Sequence, residues 1–140
     1  MIEPAALIIV VDDDFDSLEI LTEVLVRRGY RVQGFAEPME ALAAMARDKP
    51  ALVITDLMME SLDSGFSFAR QIKFDPRFED VPVILLTAAV SQRGMTIKPR
   101  TDKDLDRMRI DAYFDKPVDP EALIAKVREL IAGREKGPRS

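Results

Sequence analysis

The chain has 140 residues and a formal net charge of −5, with 47% apolar and 32% charged residues. That length fits one domain with one core, and the acidic balance argues against broad nucleic-acid or anionic-membrane binding. The absence of Cys and His excludes disulfides, thiolate or imidazole metal sites, His general bases and phosphohistidine chemistry within the chain.

Residues 6–11 (ALIIVV) form a continuous apolar run rich in β-branched residues, which predicts a strand covered on both faces. The run is too short to span a membrane and lacks a basic leader, so a cytoplasmic location is the expectation. DSLEILTEVLVRRG (16–29) follows with Leu18, Leu21, Val24 and Leu25 at helical spacing. Glu23 and Arg27 make an i,i+4 pair, and Gly29 suits the C-terminal cap. YRVQGF (30–35) is short and alternating, as expected of an edge strand. A second helix is expected with Pro38 at its first position. ALVIT (51–55) predicts a third strand, ending at Asp56. After the turn-rich LMMESLDSG, a helix is expected near Phe66–Phe74. VPVILLT (81–87) predicts the fourth strand and DAYFD (111–115) a shorter fifth. The last helix is expected over 119–133, with Asp119 as cap and Pro120 in its first turn. Residues 134–140 read as a disordered tail to a 1–133 domain.

Strands alternating with helices imply parallel βαβ units with right-handed crossovers. The expected fold is a five-stranded doubly wound α/β domain, with its functional crevice at the carboxyl ends of the strands. On that edge fall Asp12 and Asp13 after strand 1, Asp56 after strand 3, Thr87 at the end of strand 4 and Lys116 after strand 5. Each alone has an ordinary reading. Asp is a turn former or cap, Thr has β propensity, and Lys is a solvated loop residue. Those readings do not explain why carboxylates, a hydroxyl and an ammonium converge on one edge.

VVDD (10–13), VITD (53–56), LLTA (85–88) and FDKP (114–117), in that order, resemble the receiver domain of two-component response regulators. The likeness covers nearly the whole chain. It implies the flavodoxin-like strand order 2-1-3-4-5 and makes Asp56 the phosphoacceptor. It also implies Mg²⁺, a hard cation that prefers oxygen ligands. Asp13 and Asp56 would be direct ligands, Asp12 direct or through water, and the Met58 carbonyl a further ligand. Asp14 falls outside the motif and reads as part of the first helix's start. Thr87, the Ala88 amide and Lys116 would hold the phosphoryl group. Thr87 and Tyr113 would form the switch, although Tyr113 also reads as an ordinary strand residue.

The implied function is a stand-alone receiver. A sensor histidine kinase or histidine phosphotransfer protein would supply the phosphoryl group, and a protein contact or phosphorelay would carry the output. No enzymatic turnover is expected beyond promotion of its own phosphorylation. Two alternatives stand beside this reading. Asp12-x-Asp14 resembles the motif of haloacid-dehalogenase-like phosphatases, with Asp12 as nucleophile and Asp14 as acid, but the later acidic pair and the motif's Thr are missing. A degenerate receiver could bind partners without phosphorylation. The chain departs from the receiver pattern at Glu60, where Pro is usual, and at Gly65, displaced by one residue with Ser64 as the insertion. The segment from Thr87 to Lys116 is longer than usual and carries Gly94 and Pro99. A shortened helix near 102–109, with Thr101 and Asp104 as a capping-box-like start, is the expectation there.

Overall fold

The computed structural model describes residues 5–56, 64–87, 111–116 and 118–135, with the backbone alone described at 64–67, 87, 113, 134 and 135. The elements in chain order are β1 (Leu7–Val11), α1 (Phe15–Arg27), β2 (Arg31–Phe35), α2 (Pro38–Arg47), β3 (Leu52–Asp56), α3 (Ser64–Lys73), β4 (Val83–Thr87), β5 (Ala112–Asp115) and α4 (Pro120–Glu135). All strand pairs are parallel, in the order β2-β1-β3-β4-β5, so the expected flavodoxin-like topology is present. The expected short helix near 102–109 lies outside the described residues. Among the described residues no helix is long and apolar enough to cross a membrane.

Strand alternation sorts the core into two layers. Ile9, Val11, Val53, Val83 and Leu85 pack with Ala41, Ala44 and Met45 of α2 and Phe68 and Ile72 of α3. Ile8, Val10, Leu52, Ile54, Ile84 and Leu86 pack with Leu21 and Leu25 of α1 and Leu123, Ile124 and Val127 of α4. β1 and β3 are buried along their whole length, as their apolar runs require. β2 is partly exposed, as suits an edge.

The helix ends follow their signals. Asp14 is the N-cap of α1 in extended backbone, and its carboxylate accepts from the Asp16 amide at 3.2 Å and the Ser17 hydroxyl at 3.0 Å. At the other end Gly29 takes φ +94°. The Gly29 amide donates to the Val26 carbonyl and the Tyr30 amide to the Leu25 carbonyl, which is the Schellman closure. The Glu23–Arg27 pair forms at 2.7 Å with both side chains exposed, so it contributes little. Close packing of α1 on the sheet shows at Gly34, where a Cβ would come within 3.0 Å of Leu18 Cδ1.

Several boundaries differ from expectation by a residue or two. β3 extends through Asp56, because Asp56 still pairs in register with Leu86. β4 starts at Val83 rather than Val81, since Pro82 has no amide to give the ladder, although its carbonyl accepts from Val53 at 3.0 Å. α3 begins at Ser64 and ends at Lys73, one residue short of Phe74, which is exposed. α4 runs past Gly133 to Glu135, so Arg134 and Glu135, expected in the tail, are helical. Both are good helix formers, and the next breakers are Gly137 and Pro138.

Loss of the α1 cap is a direct check on this local reading. Asp14→Ala is expected to lower stability by about 1 kcal/mol in urea denaturation; an unchanged midpoint would show that the cap contributes nothing.

Candidate functional site

The pleat brings the polar residues together. Asp12 and Asp56 stand one step beyond the last β1–β3 pair, Val11↔Thr55. Both continue the face of Ile8, Val10, Leu52 and Ile54. On β4 and β5, Leu86 is level with Phe114, and Asp56 with Leu86. Lys116 lies two residues beyond Phe114, on the same face of the sheet by alternation. Its long stem therefore has to reach back across β4 toward β3 and β1.

It does so. The Lys116 ammonium donates to Asp12 Oδ2 at 2.8 Å and to Asp56 Oδ2 at 3.1 Å. Asp12 is 1% exposed and Asp56 6%, so their mutual repulsion is little screened by water. Asp12 Oδ1 also accepts the Asp14 amide at 2.9 Å, and the Asp12 amide donates to the Phe35 carbonyl at 3.0 Å. Burial works against the Lys116 charge, but the Asp12 hydrogen bond and the charges of Asp56 and Asp12 outweigh it, so its pKa is raised above the ordinary lysine range. Beside Asp56, the fully buried Thr55 hydroxyl donates to the Asp56 carbonyl at 3.2 Å. Sequence reasoning passed over Thr55, because a Thr inside a β-branched strand carries no signal beyond β propensity.

Asp13 is exposed, and one carboxylate oxygen each from Asp12, Asp13 and Asp56 lie within 4.8 Å of one another. The donor set is all oxygen and carries three negative charges. Magnesium holds oxygens at about 2.1 Å in octahedral geometry, so adjacent ligands stand about 3 Å apart and opposite ones about 4.2 Å. An all-oxygen, acidic set gathered this closely suits a hard divalent cation, so the residues fit the ion.

Of the expected site residues, Asp12, Asp13, Asp56 and Lys116 are brought together. Thr87 closes β4 level with Asp115, and Tyr113 lies level with Leu85; their side chains lie outside the described residues, as do Met58 and Ala88 entirely. Asp14 is committed to capping α1. Its carboxylate is thus held at the helix start, away from the acid role that the haloacid-dehalogenase-like reading gave it.

The family described as "Response regulator receiver domain" matches residues 8–128. Response regulator Rre1 of Synechocystis is 36% identical over 141 aligned positions, covering 96% of this chain and 55% of that protein. Response regulator PleD of Caulobacter vibrioides is 35% identical over 126 positions, covering 90% of this chain and 26% of that protein. The chain thus spans about half or less of these relatives' own length. Among solved structures, a response regulator receiver domain protein from Clostridium thermocellum is 25% identical with a TM-score of 0.75, covering 94% of this chain and 98% of that one. The signal receiver domain of a histidine kinase from Syntrophus aciditrophicus is 26% identical with a TM-score of 0.76, covering 97% of each chain.

Two outcomes test the electrostatics. Removing the bridging cation leaves Asp12 and Asp56 facing each other, so Lys116→Ala is expected to destabilise the divalent-free protein by about 3 kcal/mol. Millimolar Mg²⁺ should then raise its melting temperature more than that of the unsubstituted protein. A variant indifferent to Mg²⁺ would count against the metal site. The pH dependence has a definite sign. Because the folded pKa of Lys116 is raised, its contribution is full below the ordinary lysine pKa and is lost as pH rises through the raised value. Lys116→Ala should flatten that alkaline limb; an unaltered limb would assign it to other groups.

Proposed function

The chain belongs to the response regulator receiver domain family, and from that premise we propose that it is a phosphorylation switch in which Asp56 accepts a phosphoryl group from a phosphohistidine on a partner protein. The observation that carries the proposal is the Lys116 ammonium bridging the buried carboxylates of Asp12 and Asp56, with Asp13 close enough to complete an oxygen cluster.

The receiver family works with histidine kinases or phosphotransfer partners. This chain contains no His, so the donor imidazole lies outside these 140 residues. A carboxylate oxygen of Asp56 attacks phosphorus, the P–N bond breaks, and its electron pair returns to the imidazole of the donor. Attack by an anion on a dianionic phosphoryl group is opposed by charge. Lys116, already bonded to the acceptor carboxylate, offsets part of that charge from within the chain. Asp12, Asp13, Asp56 and the Met58 carbonyl would hold a magnesium ion, which when bound supplies further positive charge at the phosphoryl oxygens. The Thr87 hydroxyl and the Ala88 amide are assigned the remaining phosphoryl oxygens. The product is a mixed anhydride that water hydrolyses, so the mark is reversible.

Phosphorylation adds about −1.5 to −2 charge at neutral pH. In this reading Thr87 is drawn toward the phosphoryl group and Tyr113 follows, changing a surface that a partner protein reads. The same chemistry serves whether the domain acts alone or joined to an output module.

Incubation with acetyl phosphate and Mg²⁺ should add one phosphoryl group by intact mass. Asp56→Asn should prevent it, and so should chelation of the metal. Full modification of Asp56→Asn would move the acceptor elsewhere and overturn the assignment.

A further inference from the structure

The opposite edge of the sheet holds a second buried ion pair. Lys73, the last residue of α3, is 6% exposed. Its ammonium donates to the Val81 carbonyl at 2.8 Å and to Asp111 Oδ2 at 3.3 Å. The same Asp111 oxygen accepts the Val83 amide at 2.8 Å, and the Asp111 amide donates to the Val83 carbonyl at 3.0 Å. Asp111 therefore clasps the first residue of β4 at both its amide and its carbonyl. Lys73 neutralises that carboxylate and ties it to the end of α3 and to the approach to β4.

A buried ion pair rarely adds stability over an apolar pair of the same volume, and fixing register is the best-attested use of such a pair. Register needs fixing here. Val81 to Leu86 offer only apolar side chains, and alternate pairings of such a run bury similar surface. β5 has a single strand partner, β4, so its position is set from one side. A slip of one residue turns Lys116 to the other face of the sheet. A slip of two keeps the face but moves Lys116 by about 6.6 Å along the strand, out of reach of both carboxylates.

We propose that Lys73 and Asp111 form a register clamp at the start of β5 that positions Lys116 for its contacts with Asp12 and Asp56. They are positioning residues, acting on the site through the length of β5 rather than by touching it. The proposal rests on the reading of Lys116 as a group that assists phosphorylation of Asp56, and its test separates the two.

The experiment is a pair of double-mutant cycles, Asp111→Ala with Lys116→Ala, run at a temperature where every variant is folded. Lys116 lies about 16 Å along the strand from Asp111, so merely structural effects at the two positions should add. The first cycle reads the rate of phosphorylation by acetyl phosphate. Asp111→Ala should slow it about tenfold or more, as small misplacements of charged groups do, and should slow it no further once Lys116 is removed. Asp111→Asn keeps an oxygen for the Val83 amide and should recover much of the rate. Lys73→Met, which leaves the Val83 clasp intact, should give a smaller loss with the same dependence on Lys116. The second cycle reads stability without Mg²⁺ or any phosphoryl donor, where the two substitutions should be less than additive. Slowing that persists in full in the Lys116→Ala background, or strict additivity in stability, overturns the clamp. If the unsubstituted protein takes no phosphoryl group, the proposed function fails, and the stability cycle alone still decides whether Asp111 acts through Lys116.

Discussion

Two ionised carboxylates buried side by side at the ends of adjacent strands repel each other, and Lys116 is the cation that offsets them. Asp12 and Asp56 neighbour each other because β1 and β3 pair in parallel and their apolar runs end at the same level. The ammonium set against both comes from the end of β5, two positions from β3 and three from β1 in the sheet, on the same face. The topology is thus tied to the charge balance. A different strand order, or a shift of β5, would leave Asp12 and Asp56 uncompensated at a cost of several kcal/mol.

Much of this was legible in the sequence. Continuous β-branched runs marked β1 and β3 as strands, VPVILLT marked β4, and the helical spacing of α1 came with Gly29 as its C-terminal cap. Strand alternation then put Asp12, Asp56 and Lys116 on one edge. The family resemblance sharpened that edge into a phosphorylation site. Boundaries were less legible where a local rule competed with pairing. Pro82 trimmed the start of β4, while the pairing of Asp56 with Leu86 lengthened β3. Gly133 looked like a stop, but one glycine costs a helix only about 1 kcal/mol, and α4 carries on to Glu135.

Thr55, Lys73 and Asp111 were not legible as special residues. A Lys in the last turn of an amphipathic helix ordinarily faces water and favours the dipole. An Asp before a short strand ordinarily starts a turn. Only the packing of α3 against the sheet at Val53, Val83 and Leu85 turns this pair inward, and that packing is a long-range property with no local signature. The same holds for the division of labour within the three aspartates. Their identity suggests one acidic cluster, whereas the structure splits them into Asp12, buried and bonded to Lys116, Asp13, exposed but near the cluster, and Asp14, spent on the helix cap.

The two lysine–aspartate contacts at opposite edges of the sheet differ in burial and in partners. The Lys116 side chain keeps 20% of its surface exposed, and it divides its bonds between two carboxylates. Such a cation can change partners when charge is added to one of them, since water is near enough to cover the intermediate arrangement. The Lys73 and Asp111 side chains keep 8% and 16%, and each also bonds backbone groups that belong to the strand ladder and its approach. Separating them would strand a buried charge and two backbone groups at once. In the proposed switch the two contacts along β5 divide the work: one end has a charge balance that can be renegotiated, and the other is held firmly enough that the change is expressed as movement at the site rather than as slippage of the strand.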